Sequence, residues 1–516
     1  MTVSPSVPVL ATTAELRDPE GVVVEGRRVV AANALVGYAG SVVLTALRFA
    51  TKLVLIRSLA PADFGRVVTT QNLQGLAMTL AGLAVGDAVL RFVGVHAADG
   101  TGRAKGVVYQ ALRFLAVSGI GSTVLLIVLA GSLSDALGLG EDGFWGVSIA
   151  ALAIAPLLLG DAAGSAFQGL NRTWVKVTLL DVPRVLLTFG GYILLATIGW
   201  ATYTGALAVQ LGAAMISAGL IAVALWRAPE LRFASESIPL RSLLSFSLPV
   251  FGGLIIGGTL VAHAIPLALA TEHDAEAVAL YAVALTVAPL LQLPAIALEN
   301  AALPVWAGSL GVQSKDQQAS LFAEVTRWGL LLALIAYVPF AAAPQEFLAL
   351  LFGNPYAGPT AVVQLALAAA FFPIAVGPTE GFLMARAATG PIVVARTVSG
   401  LIALAAAWPL VATWGVMGAV AAWATSNVIS NGVSAFYVAK LYGIHPIDAR
   451  YVRLVIAGAT GLLVSLLVAG SGLIGMSKVV AVIAANLLVL AVAGQMLGVW
   501  HPAELKSLVR QSREQR

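Results

Sequence analysis

Fourteen separate runs of predominantly apolar residues, each long enough to cross a bilayer, constrain this chain more than any other feature. They fall at 31–56, 67–94, 109–132, 146–169, 177–199, 205–226, 243–269, 280–306, 328–345, 361–385, 392–412, 417–439, 454–475 and 479–500. A spanning helix needs about 20 such residues, with a range of roughly 17 to 25. Of the 516 residues 59% are hydrophobic and 10% charged, against about 25% charged in an ordinary soluble domain. A single soluble core stops growing at about 250 to 300 residues, so the bilayer must solvate most of these side chains. The predicted fold class is an all-α integral membrane protein with about 14 transmembrane helices.

Lysine and arginine set the orientation, because cytoplasmic loops carry the excess. With the N-terminus inside, the inner segments hold 21 of the 29 cations and the outer loops only Arg57, Arg66 and Lys478. The other five, Arg48, Lys52, Arg91, Arg113 and Arg184, fall inside the predicted helices. Both termini are therefore expected in the cytoplasm. Residues 1–28 carry mixed charge without the layout of a cleavable signal peptide and read as a flexible cytoplasmic arm. The remaining divisions are an N-lobe at 29–226 (helices 1–6), a C-lobe at 227–441 (helices 7–12), two extra helices within 442–500, and a basic cytoplasmic tail at 501–516.

Several function classes drop out. The chain has no cysteine, which removes thiol nucleophiles, iron–sulfur clusters and cysteine zinc sites. Its five histidines, His96, His263, His273, His445 and His501, are dispersed without metal-ligand spacing. A net charge of +4 on so apolar a chain does not suggest nucleic-acid binding. No loop exceeds about 20 residues, so a membrane-embedded glycosyltransferase or polymerase, which places its catalytic groups on large outer loops, is the less favoured reading. No catalytic residue, metal site or cofactor is expected.

Internal symmetry points to transport. Gly199-Trp200 followed by Gly205-Ala206-Leu207-Ala208 parallels Trp414-Gly415 followed by Gly418-Ala419-Val420-Ala421, with an offset of 213 residues from Gly205 to Gly418. The same offset sets Ala62-Asp63-Phe64-Gly65 opposite Ala275-Glu276-Ala277-Val278. Both pairs keep their inside–outside sense, so the halves read as parallel repeats of six helices.

Six stretches in order carry a family resemblance. Arg48-Phe-Ala-Thr-Lys52 with the following Leu-Ile-Arg57-Ser-Leu-Ala-Pro61-Ala-Asp-Phe64-Gly65 resembles the opening of polysaccharide (O-antigen, Wzx-type) flippases. Leu83-Ala-Val-Gly86-Asp-Ala-Val-Leu-Arg91-Phe, Leu244-Ser-Phe-Ser-Leu-Pro249, Glu276-Ala-Val-Ala-Leu-Tyr281, Leu350-Leu-Phe-Gly353-Asn-Pro-Tyr356 and Trp414-Gly-Val-Met-Gly418-Ala are similar to later stretches of the same family. The implied superfamily is the multidrug/oligosaccharidyl-lipid/polysaccharide (MOP) exporters. What the resemblance implies is a V-shaped pair of lobes in the bacterial inner membrane. It would carry an undecaprenyl-diphosphate-linked oligosaccharide from the cytoplasmic to the periplasmic leaflet by alternating access, for cell-surface polysaccharide assembly. The implied partners are that glycolipid, membrane lipids, a coupling proton or sodium ion, and polysaccharide polymerase and chain-length proteins. One departure stands out: family members often carry an Asp-Arg pair near the end of the seventh helix, where this chain reads Val261-Ala-His263-Ala-Ile-Pro266. Lipid-linked peptidoglycan precursor flippases and multidrug cation antiporters of the same superfamily are the alternatives.

Intramembrane charges supply the candidate site. Each costs about 2.5 to 3.5 kcal/mol at the bilayer centre, so they must pair, snorkel or face water. Arg48 and Lys52, four apart, share one face of helix 1. A guanidinium fork suits phosphoryl oxygens, so both are read as diphosphate ligands in the cavity. Arg184 is a further cavity candidate, and Arg91 and Arg113 are candidates for its cytoplasmic entrance. The spacings of Asp87 with Arg91 and of Asp181 with Arg184 also permit intrahelical ion pairs. Asp161 has no cation at helical spacing, and a desolvated carboxylate can carry a proton; Asp161 and Glu380 are the candidates for ion coupling. His263, as a lone helical histidine, reads as a hydrogen-bonded group.

Other strings carry less. Gly470-Ser-Gly472-Leu-Ile-Gly475 has the form of a dinucleotide fingerprint but ends a membrane span. Pro249, Pro266, Pro289 and Pro294 can kink helices 7 and 8.

Overall fold

A computed structural model of the chain describes residues 43–97, 102–229, 238–254, 258–308, 314–358 and 360–496. Among these residues there are only helices and the turns that join them. The first half contains α1 (43–58), α2 (Pro61–Gly82), α3 (Val85–His96), α4 (Arg103–Val128), α5 (Ala130–Ala136), α6 (Gly143–Leu152), α7 (Ile154–Gly169), α8 (Thr173–Lys176), α9 (Val182–Thr197) and α10 (Tyr203–Arg227). The second contains α11 (Leu240–Leu254), α12 (Leu260–Glu272), α13 (Ala275–Val287), α14 (Leu293–Gly308), α15 (Lys315–Ala342), α16 (Pro344–Phe352), α17 (Thr360–Val376), α18 (Thr379–Ala385) and α19 (Thr389–Tyr442). Two further helices follow, α20 (Ala449–Ala469) and α21 (Gly475–Met496).

By length and composition, nine helical runs among the described residues can cross a membrane, or eleven if each bent pair is one span. The expected count of fourteen is not reproduced on that measure, and the reasons are local. α1 starts at the edge of the described residues, α11 and α12 are short apolar helices flanking 255–257, and α19 joins two expected spans across Gly415. Gly415 has φ 55° and ψ −129°, a conformation an L side chain strains to adopt.

Other spans bend for equally specific causes. α2 and α3 meet at 45°, where Leu83 (φ 45°) and Ala84 (φ 54°) both take the left-handed conformation, which costs a non-glycine residue about 1–2 kcal/mol. α17 and α18 meet at 41° around Gly377, whose φ is 89°. Between α8 and α9 a π-helical turn, Val177–Asp181, inserts extra backbone into the fifth span.

The repeat extends through the secondary structure. Shifted by 213 residues, Arg103–Val128 falls on α15, the short α5 on α16, Gly143–Gly169 on α17 and α18, and the fifth and sixth spans on the two arms of α19. α1 then corresponds to α12, and α2 with α3 to α13 with α14. The two halves are joined by one apolar cluster in which Leu55, Ile56, Phe64 and Tyr203 of the first meet Leu269, Tyr281, Phe352 and Ala419 of the second. A Cβ at Gly65 would land on the backbone carbonyl of Ala275, so glycine is what lets α2 and α13 touch. Each half also has its own core, around Val89, Leu115 and Phe167 in the first and around Trp306, Phe322 and Phe382 in the second.

α20 and α21 pack on each other and on α15, where Leu330, Leu334 and Val338 meet Leu454, Ala457 and Leu490. Asn486 Nδ2 donates to the Leu334 carbonyl at 3.2 Å, and Lys478 pairs with Glu346 of α16 at 2.6 Å. Outward faces are strongly apolar, including Val117, Val128, Leu463 and Leu467, all more than half exposed. Water would not tolerate that surface, whereas lipid does. Trp145, Trp174, Trp200, Trp226 and Trp414 stand exposed near helix ends, where membrane interfaces concentrate indole rings.

Candidate transport site

α1 places Arg48 and Lys52 one turn apart, and the same face continues two turns on as Leu55 and Leu59. Leu55 and Leu59 are buried in the cluster that joins the halves, while Arg48 is exposed and Lys52 half-buried. The halves therefore close around the α1–α2 corner, and the same face is half-buried at Lys52 and exposed at Arg48. At the closed corner Arg57 Nε donates to the Leu351 carbonyl at 2.8 Å, with a second bond from Nη2 to the carbonyl of Leu350. Phe64 meets Tyr356 edge to face with ring centroids 6.5 Å apart.

The other charged candidates meet different fates. Arg184 Nη2 pairs with Asp161 Oδ1 at 3.1 Å and reaches Ser217. Asp161, which has no cation at helical spacing, is thus paired between helices, and among the described residues Asp181 is not the partner of Arg184. The bridge runs between α7 and α9, and spacing along one helix gives no account of proximity between two. Glu380 of α18 pairs with Arg396 of α19 through two bonds, 2.8 Å and 3.3 Å. Each half therefore ties its fourth span to its fifth with one arginine–carboxylate bridge.

Asp87 and Arg91 do not pair among the described residues. The guanidinium of Arg91 instead lies over Phe246 of α11, 4.5 Å from the ring centroid, and 6.0 Å from that of its neighbour Phe92. Arg113 stands exposed on α4 beside Tyr109 and Val117, in a groove shared with Leu159 and Trp226. His263 is hydrogen-bonded, its Nδ1 3.0 Å from Asn72 Oδ1, and its ring occupies the space that a Cβ at Gly75 would need.

Two cavities take in carboxylates of the two halves. One, of about 260 Å³, is lined by Asp87, Asp161, Ser165, Phe251 and Thr259. The other, about 480 Å³, lies in the second half and takes in Glu299, Glu380, Arg396 and Asn427. Glu299 has no cationic partner among the described residues; its Oε1 accepts the Gly381 amide at 2.7 Å, and a Cβ at Gly381 would collide with the carboxylate. Residue spacing did not single out Glu299, since the Gly381 amide that holds it is 82 residues away. The polar residues Ser426, Asn427, Ser430 and Asn431 were also passed over, because uncharged side chains barely disturb an apolar run.

Comparison with known proteins adds the family. A polysaccharide biosynthesis protein family profile matches residues 30–308. The chain belongs to that family. No curated protein sequence matches it. Its fold is similar to that of the lipid II flippase MurJ in an inward closed conformation, with TM-score 0.66 and 9% identity over 89% of this chain and 98% of that one. An inward-facing multidrug resistance MATE family transporter of the MOP superfamily gives 0.64 and 14% over 77% and 94%. A MOP superfamily transporter from Pyrococcus furiosus gives 0.53 and 15% over 80% and 94%. The chain is thus a multi-pass membrane protein with the fold of these transporters and flippases.

Proposed function

We propose that the protein is a flippase that moves an undecaprenyl-diphosphate-linked oligosaccharide from the cytoplasmic to the periplasmic leaflet of a bacterial inner membrane by alternating access. The observation that carries this is Arg48 and Lys52 on a face of α1 that is buried between the halves at one end and open at the other. Membership of the polysaccharide biosynthesis family supports the substrate class. With both termini cytoplasmic, the Arg48 end of α1 lies toward the cytoplasm, the side from which the substrate must enter. Arg48 and Lys52 hold the diphosphate, and Arg91, stacked on Phe246, flanks the entrance. Arg184 and Arg396 keep each lobe rigid through their bridges, so that the lobes at 29–226 and 227–441 move as bodies.

For ion coupling by a proton or sodium ion, the role foreseen for Asp161 and Glu380 passes to Glu299, since both of the others already hold an arginine. A carboxylate that neutral donors alone support can exchange a cation during the cycle at little structural cost.

A multidrug cation antiporter is the second reading, favoured by Asp87 and Asp161 in the smaller cavity, although Arg184 neutralises Asp161. Binding separates the two. Purified protein in nanodiscs should bind undecaprenyl diphosphate saturably and should not bind rhodamine 6G; the reverse pattern would establish the antiporter.

A further inference from the structure

We infer that the 480 Å³ cavity of the second half is the glycan-binding subsite, built to hold sugar hydroxyls while the diphosphate rests on α1. This assignment rests on the flippase reading and specifies which part of the substrate each half holds. The cavity wall is a stripe on the second arm of α19. Trp423, Ser426, Asn427, Ser430 and Asn431 recur at i, i+3, i+4, i+7 and i+8, which puts all five on one helical face. Such a stripe is costly against lipid and gains nothing there; lining a wet cavity, it presents groups that donate and accept hydrogen bonds.

The chemistry of the stripe selects among ligands. Asn427 Nδ2 donates to the Trp423 carbonyl at 3.1 Å and Asn431 Nδ2 to the Asn427 carbonyl at 2.9 Å. Each amide is thereby oriented by its own helix, and each keeps an acceptor oxygen and a second N–H for a ligand. Trp423 supplies the flat apolar surface on which the C–H face of a pyranose can rest. Opposite stand Glu299 and the Glu380–Arg396 bridge, and Arg396 is the one cation in the lining. Two carboxylates against one arginine repel a diphosphate, whereas carboxylates and amides accept from hydroxyl groups. Neutral, hydroxyl-rich sugar units are the chemical class that this combination of aromatic face, fixed amides and carboxylates fits. The cavity volume lies within the range of about 300–1,000 Å³ typical of small-molecule sites.

The experiment compares binding of two probes, undecaprenyl diphosphate and the same lipid bearing an oligosaccharide, drawn from a panel with N-acetylhexosamine, hexose and deoxyhexose units. Wild type, Asn427→Ala/Asn431→Ala, Trp423→Phe, Trp423→Ala and Arg48→Ala are tested in nanodiscs, with thermal melting as the check on folding. The asparagine amides bond only their own helix among the described residues, so the double variant leaves no partner on another helix unpaired. For the best-matched glycan, wild type should favour the glycolipid by about tenfold or more, the scale of one or two net hydrogen bonds with stacking. The double variant and Trp423→Ala should erase that preference and leave the affinity for the bare lipid unchanged, Trp423→Phe should retain part of it, and Arg48→Ala should weaken both probes alike. A double variant that keeps the preference, or loses both probes by the same factor, overturns the glycan subsite alone. Wild type that binds neither probe overturns the flippase reading and the subsite with it.

Discussion

Removing Arg184 should destabilise the first half chiefly by stranding Asp161. At 4 Å two unit charges attract by about 4 kcal/mol in an effective dielectric of 20. The bridge is shorter, 3.1 Å, but the side chains are 25% and 50% exposed. Solvent therefore screens roughly half of that attraction, which leaves about 2 kcal/mol of coupling. Arg184→Ala and Asp161→Ala should each cost about 2–3 kcal/mol, because each leaves one charge uncompensated within the bilayer. The double variant should fall short of the sum of the two by about 2 kcal/mol. Reversible unfolding in mixed micelles measures all three, and the same cycle on Glu380 and Arg396 should give a coupling of similar size. A double variant whose loss equals the sum within about 0.5 kcal/mol would refute the bridge as a structural tie.

Four further outcomes follow from the geometry. Gly65→Leu should wedge α2 from the Ala275 carbonyl and shift the resting protein toward a state opened at that corner; single cysteines on α2 and α13, introduced into this cysteine-free chain, should then label faster with a membrane-impermeant thiol reagent. Gly415→Ala should lower stability by about 1–3 kcal/mol, since φ 55° with ψ −129° is strained for an L residue, and Ala84→Gly should raise it by about 1 kcal/mol by relieving a left-handed alanine. Lys478→Met should loosen α21, seen as faster amide exchange in that helix, because Glu346 loses a partner 2.6 Å away.

The membrane character was legible in the sequence because a 20-residue apolar run has few alternatives, and the repeat because an offset of 213 residues recurs across Gly205 and Gly418. The stripe of Arg48 and Lys52 was legible too, since helical periodicity alone places them together. Pairing was not. Arg184 lies three residues from Asp181 yet bonds Asp161 on another helix, and Glu380 finds Arg396 across the turn that joins α18 to α19. Such partners depend on helix rotation and on packing angles, neither of which leaves a mark in residue spacing.

The account stands most directly on the role of Arg48 in translocation. Proteoliposomes holding wild type or Arg48→Ala, with empty vesicles as control, would be loaded with a fluorescent undecaprenyl-diphosphate oligosaccharide and its leaflet followed by impermeant quenching. Wild type should move the lipid well above the empty-vesicle rate, and Arg48→Ala, folded and inserted, should slow it by at least about tenfold, as loss of a charge-assisted contact of 1.5–3 kcal/mol implies. Translocation by Arg48→Ala at the wild-type rate would contradict the diphosphate-holding role of α1, and the absence of movement by wild type across several glycans and ion gradients would contradict the flippase itself.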